Sequence, residues 1–255
     1  MKKTIVIIGA GKGLGFGVAK KFAAEGYKVM LVARNRDSLE KMRDELKSKG
    51  CHVDYKVADS SEDGEFVKAL EEIKAEYGTP DVVVYNVGIT STDPEDLTTD
   101  EIIRHFKTDV AGAWTTIKTF VDDDFTSKKG SIIFTGGGLA FYPADGFIPL
   151  SMDKAALRSL AYILNNKLKD KGVFVGTVTV CGTINGDDYF SADNIAEMFW
   201  QMNEKRDQCE YVYQFPELRP SKLYEGDKVE YGLFEENSGK YWGEVYRIMT
   251  SNNNK

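Results

Sequence analysis

Apolar residues fall along this chain in short β-branched runs separated by stretches of helical spacing. Residues 4–8, TIVII, are apolar on both sides of the alternation, the pattern of a central strand covered on both faces. From Val18, positions Ala19, Phe22, Ala23 and Tyr27 recur at helical spacing with Gly26 as a stop, and Val29, Leu31 and Val32 mark a second buried strand. A charged helix capped by Asn35 or Asp37 follows through about Lys49, buried along Leu39, Met42 and Leu46. His52 to Val57 predicts a third strand, and Ser61 or Glu62 opens a helix carrying Phe66, Leu70, Ile73 and Tyr77. Asp81 to Tyr85 is a fourth strand and Ser131 to Thr135 a fifth, with a long helix over about 100–124 between them. A second long helix over about 151–171, a sixth strand over 173–180 and a helix over 194–204, capped by Asp193, complete the alternation. Strands alternating with helices over the first 180 residues predict an α/β fold, a Rossmann-type doubly wound parallel sheet with helices on both faces.

This rhythm breaks after the last helix. Residues 209–248 hold Tyr211, Val212 and Tyr213, then Val229, Tyr231, Leu233 and Phe234, then Tyr241, Trp242, Val245, Tyr246 and Ile248, with a turn signal at Asn237-Ser238-Gly239. The spacing predicts a nucleotide-binding domain over 1–208 and a small β-rich C-terminal appendage over 209–255, within the same domain or at its interface.

Between the first strand and the first helix stand Gly9, Gly11, Gly13, Gly15 and Gly17. Glycines at this junction permit a tight turn, close approach of backbone to a pyrophosphate, and close helix–strand packing. The helix start then presents free N–H groups and a positive dipole end to phosphate. The placement points to a dinucleotide fold.

Composition narrows the partners. A chain of 255 residues suits one α/β domain with a substantial core, and a formal charge of −7 argues against nucleic acid, which calls for a basic face. No apolar run has the length of a membrane span. Two lysines precede the first apolar run, but the run is too short for an export signal and phosphate-binding glycines follow it directly. Cys51, Cys181 and Cys209 are odd in number and widely spaced, and His52 and His105 form no cluster; the expectation is a reducing, cytoplasmic location without disulfides or metal.

With these elements placed, the chain resembles the short-chain dehydrogenase/reductase family from residue 4 to about 204. Ile8, Gly9, Gly13, Leu14 and Gly15 match the family's opening T-G-x-x-x-G-x-G except for its threonine; Tyr85-Asn86-Val87-Gly88 matches N-N-A-G; Asp59, followed by Ser60, matches its adenine aspartate; and Cys181-Gly182, followed by Thr183 and Ile184, matches its P-G. The resemblance implies a nicotinamide nucleotide held by Gly9, Gly11, Lys12, Gly13, Leu14, Gly15, Arg34, Asp59, Ser60, Asn86, Val87, Gly88, Lys154, Gly182 and Ile184. NAD-selecting members end the second strand with an acid; here Ala33 and Arg34 stand there, and a guanidinium suits a 2′-phosphate. Lys12 lies where NADP-using members often carry a second base, so NADP is expected over NAD.

The family's Y-x-x-x-K motif and its upstream serine are altered. The lysine is Lys154, but the tyrosine position is Leu150 and the serine position Gly137, neither able to exchange a proton; the relay asparagine appears as Asp109. The wider spacing of enoyl reductases falls on Phe147, equally inert. Tyr142 and Ser151 are the nearest hydroxyls that could stand in as acid; Tyr142 also reads as a packed loop aromatic and Ser151 as a helix N-cap. Lys154, placed in the first turn of its helix, is expected to hold the nicotinamide ribose and to pair with Asp109. The run Gly136-Gly137-Gly138 reads either as backbone approaching the nicotinamide or as a strand-end turn. Tyr142, Phe147, Tyr189, Phe190, Phe199 and Trp200 suggest an apolar or aromatic small-molecule ligand, Phe199 reading also as core.

Three functions follow: an NADP-dependent oxidoreductase with a rearranged proton donor, a non-catalytic NADP-binding redox sensor or regulatory protein, or a structural relative without ligand. The glycine loop with Arg34 and Lys12 argues against the third, and retention of Lys154 favours the first. Ile103, Phe106, Trp114, Leu157, Leu160 and Leu164 on the two long helices exceed what one sheet face needs, so a homodimer or homotetramer is expected, as the resemblance also implies.

Overall fold

In the computed structural model, residues 2–216, Gly243 and Arg247 are described. Seven parallel strands form one sheet: β1 (Thr4–Ile8), β2 (Lys28–Ala33), β3 (Val53–Val57), β4 (Val82–Tyr85), β5 (Ser131–Gly137), β6 (Phe174–Val180) and β7 (Glu210–Tyr213), in the order β3-β2-β1-β4-β5-β6-β7. The helices are α1 (Leu14–Ala24), α2 (Arg36–Ser48), α3 (Asp63–Tyr77), α4 (Thr99–Phe106), α5 (Gly112–Phe120), α6 (Asp123–Ser127), α7 (Ile148–Leu168) and α8 (Ala192–Lys205). Strand alternation divides the core. Ile5 and Ile7 face a layer with Val18 and Phe22 of α1, Leu39 of α2 and Phe199 of α8; Val6 and Ile8 face Phe66 of α3, Ile117 of α5 and Leu157 of α7.

After β3 the chain returns to pair β4 with the free side of β1, so the strand order reverses between β1 and β4. A crevice opens at that point beyond the carboxyl ends of the strands.

Several boundaries differ from the periodicity. Asn35 caps α2, accepting from the Ser38 N–H, whereas Ser191 rather than Asp193 caps α8. The predicted helix over 100–124 is divided by a π turn at Lys107–Ala111 and stops at Phe120, where Asp122 caps α6. The helix predicted from Ser151 begins at Ile148, because Pro149 sits at its start with φ already helical. Leu157 and Leu164 lie inside the core; the exposed large apolar groups of α7 are Ile148, Met152, Tyr162 and Ile163, and those of α4 and α5 are Ile103, Phe106 and Trp114.

Glu210–Tyr213, assigned above to an appendage, is the edge strand of the main sheet, paired parallel to β6. The remaining strands expected after it lie outside the described residues. Glu210 fixes this edge: its buried carboxylate accepts from Arg158 Nε (2.9 and 3.0 Å), Tyr162 Oη (2.9 Å) and Thr179 Oγ1 (2.6 Å), tying β7 to α7 and β6. Replacing it with glutamine removes the negative charge that faces the half-buried guanidinium. We expect Glu210→Gln to lower the unfolding free energy by about 2 kcal/mol in urea titrations.

Candidate active site

At the reversal point, Gly9 has φ +84°, and a Cβ there would lie 2.6 Å from the carbonyl of Asn86. Asn86 in turn donates from Nδ2 to Gly9 O (2.8 Å) and accepts from Thr135 Oγ1 (2.8 Å), joining the ends of β1, β4 and β5. Gly15 brings the start of α1 against the same loop, since its Cβ would meet Gly9 O at 2.6 Å. Gly11 faces open space and Gly13 nearly so, with Asn185 Nδ2 3.7 Å from a notional Cβ. Side chains at these two places would fill a backbone cradle, and the first N–H groups of α1 have no intrahelical acceptor. This cradle fits the diphosphate of a dinucleotide.

The cavity passing over the cradle has a volume of about 630 Å³. One end is lined by Ala33, Arg34, Asn35, Ser38, Asp59 and Ser60. Arg34, largely exposed, lies 3.6 Å from Asp59 Oδ2. Burial raises the pKa of Asp59, but the Ser61 N–H and hydroxyl and the Arg34 guanidinium outweigh it and hold the carboxyl below its ordinary range. Lys12 is exposed on the loop and lies outside the lining.

The other end is lined by Asn86, Val87, Gly88, Thr135, the glycines at 136–138, Lys154, Gly182 and Asn185, with an apolar wall of Ile89, Leu139, Leu150, Val180 and Ile184. Lys154 is 7% exposed and donates from Nζ to Thr135 O (3.1 Å). Burial lowers its pKa, opposed by the carboxyls of Asp109 and Asp153. Its stem lies over Gly137, whose Cβ would meet Lys154 Cγ at 3.2 Å. A Cβ on Gly88 would lie 3.3 Å from Lys154 Nζ and 3.6 Å from Asp109 Oδ2, so both charged groups converge beside Gly88. Asp109 sits on the π turn, which aims it at this point, and accepts from the Ile89 N–H (3.1 and 3.2 Å). Burial raises its pKa against the pull of Lys154 and that N–H.

Asp153 was not singled out from the sequence. It is 1% exposed, its Oδ2 has no hydrogen-bond partner among the described residues, and burial together with Asp109 pushes its pKa up to about 7 against Lys154. The available signal was an acid on the stripe of Leu150, Leu157, Ala161 and Leu164, the buried face of α7.

Two predicted acids do not reach the cavity. Tyr142 packs in the core with Cys181 and Phe190, because its ring gains more by burial than by facing the crevice; burial raises its hydroxyl pKa, with Cys181 adding to it. Ser151 falls inside α7 rather than at its cap and donates back to Phe147 O (2.7 Å). Lys154 lies in the second turn of α7, one turn further from the dipole end than the sequence placed it. The expected aromatic wall is also absent from the lining: Tyr189 stacks on Tyr213 and Phe215, Phe190 packs edge-on against the same two rings, and Trp200 packs edge-on against Phe22 and Tyr27.

Comparisons with known proteins agree with this geometry. The profile of the family described as short chain dehydrogenase matches residues 3–188. An uncharacterized oxidoreductase, YvrD, of Bacillus subtilis is 29% identical over 178 residues, covering 69% of this chain and 67% of that protein. A diacetyl reductase, (S)-acetoin forming, of Staphylococcus epidermidis is 27% identical over 177 residues, 69% of each chain. Among solved structures, LigD of Sphingobium sp. strain SYK-6 in its apo form superposes with a TM-score of 0.76 at 23% identity, covering 96% of both chains. An alcohol dehydrogenase of Thermococcus sibiricus complexed with 5-hydroxy-NADP gives 0.74 at 24% identity, covering 85% of this chain and 99% of that one. The chain is an oxidoreductase-type member of the short-chain dehydrogenase family.

Proposed function

We propose that the protein transfers a hydride between NADP(H) and a small apolar or aromatic carbonyl, enone or quinone, using a proton donor other than the family's tyrosine. The observation that carries this reading is one continuous cavity, with a guanidinium at one end, a side-chain-free phosphate cradle in the middle, and a buried lysine under an apolar wall at the other. Arg34 supplies a permanent charge and several donors for a 2′-phosphate; Gly11, Gly13 and the start of α1 take the diphosphate; Lys154, Asn86 and Gly182 take the nicotinamide ribose and ring. The bound coenzyme supplies the hydride. Ile89, Leu139, Leu150, Val180 and Ile184 exclude water from the reacting end and favour an apolar substrate. The 5-hydroxy-NADP complex of the Thermococcus neighbour and the diacetyl reduction named for the Staphylococcus relative support the same reading.

Arg34→Ala is expected to raise the NADPH dissociation constant about tenfold while altering that of NADH less than about twofold, by calorimetry. Equal losses for both coenzymes would remove Arg34 from coenzyme choice.

A second reading, an NADP-binding sensor without turnover, is favoured by one observation: Leu150 and Gly137 leave the reacting end without the usual hydroxyls. Stopped-flow oxidation of bound NADPH over carbonyls, enones and quinones separates the two. Restoring the hydroxyls in Leu150→Tyr/Gly137→Ser is expected to increase turnover of a small ketone at least about tenfold, consistent with positioned acid catalysis. No gain would show that the hydroxyls are not what limits this site.

The exposed apolar faces of α4, α5 and α7 support a homodimer or homotetramer; among the described residues no helix is long and apolar enough to cross a membrane. Ile163, 61% exposed, and Ile103, 57% exposed, are expected to be covered in that assembly. Ile103→Glu/Ile163→Glu should elute as a monomer in size-exclusion chromatography while the parent does not.

A further inference from the structure

One buried lysine, Lys154, lines the reacting end, and two buried acids lie behind it. Lys154 and Asp109 converge beside Gly88, and Asp153, adjacent to Lys154 in α7, keeps one carboxyl oxygen buried without a hydrogen-bond partner among the described residues. Asp109 is fully buried and Asp153 is 1% exposed, so these carboxyls are barely screened by water. The other polar side chains lining that end, Thr90, Thr108, Thr135, Asn86 and Asn185, do not exchange protons near neutral pH, whereas burial makes the Lys154 ammonium a stronger acid than a solvated lysine. The two hydroxyls closest in sequence, Tyr142 and Ser151, are turned away, as described above.

We propose that Lys154 Nζ is the group that exchanges the substrate proton, and that Asp109 and Asp153 are positioning residues that set how readily it does so. This rests on the hydride-transfer reading. In the reducing direction, where a bound coenzyme would supply the hydride to the substrate carbon, the substrate oxygen takes a proton from Lys154. One N–H bond breaks, one O–H bond forms, and the electron pair of the broken bond remains on Nζ; the amine regains a proton from water entering the cavity. The reverse reaction begins with neutral Lys154. Asp109 stabilises the ammonium throughout. Asp153 adds a second negative charge only when it ionises, and then makes Lys154 a weaker acid. The groups acting on this cluster from the packed elements are Arg104 and His105 of α4, both through Asp109, and Tyr85 of β4, which feels Asp109.

The sign for stability follows from the raised carboxyl. Asp153 in the folded chain holds its proton up to about pH 7, above the unfolded range, so it favours the fold at low pH and this contribution is lost as pH rises towards 7. Asp153→Asn, which cannot ionise, is therefore expected to gain in melting temperature relative to the parent between pH 5 and pH 8, by a few degrees.

The decisive measurement uses the coenzyme-free protein. In nuclear magnetic resonance titrations the Asp153 carboxyl carbon should change state near neutral pH, and the Lys154 midpoint should fall by about one unit in Asp153→Asn. An Asp153 that is ionised down to pH 5, or a Lys154 midpoint unmoved by the substitution, overturns the coupling, and the parent titration alone decides the first point if the variant does not fold. In single turnovers with NADPH, Lys154→Ala should lose at least about a hundredfold in rate and regain part of it with added primary amines, in proportion to their basicity. Rescue that ignores basicity would leave Lys154 as a ribose ligand only and overturn the donor role. Absence of turnover in the parent refutes the hydride reading and the donor role together, while the titration judges the coupling separately.

Discussion

The close approach of Gly9 to the Asn86 carbonyl is the constraint from which the site is built. No side chain fits at Gly9, and φ +84° is open to glycine at little cost, so the chain can turn out of β1 directly against the end of β4. Asn86 then bonds the loop carbonyl on one side and Thr135 on the other. Thr135 offers its own carbonyl to Lys154. A short series of contacts thus runs from the phosphate cradle, across three strand ends, to the buried ammonium. The glycine loop and the lysine are placed together because the same strand termini carry both.

Burial then governs the electrostatics. An ammonium under an apolar wall is tolerable only beside negative charge, and Asp109 provides it, delivered by a π turn that shifts the helix face at one place. Asp153 is a further acid in the same dry region with incomplete hydrogen bonding. Such groups are destabilising where they serve only the fold, and here both lie close enough to Lys154 for their charges to act on it.

The aromatic residues follow the opposite logic. Tyr189 stacks on Tyr213 and Phe215 and Phe190 packs edge-on against all three, with Tyr213 Oη donating to Tyr189 O (2.7 Å) and Tyr189 Oη to Gln214 O (2.8 Å). Their polar tips are satisfied by backbone, so they form a prop behind the substrate end and leave its wall aliphatic.

The element order, the parallel sheet and the cradle were legible in the sequence because each rests on local rules: a period of two or of 3.6, and glycines where backbone must pass close. Arg34 and Lys154 could be placed from their spacing to those elements. Hydroxyl chemistry at Tyr142 and Ser151 could not, since whether a side chain faces a crevice depends on where a helix starts and what packs on it, and Pro149 moved that start. Asp153 stayed hidden for the same reason. A carboxyl on a helix is solvated or buried according to the elements around it, and only the tertiary packing of α7 took the water from Asp153.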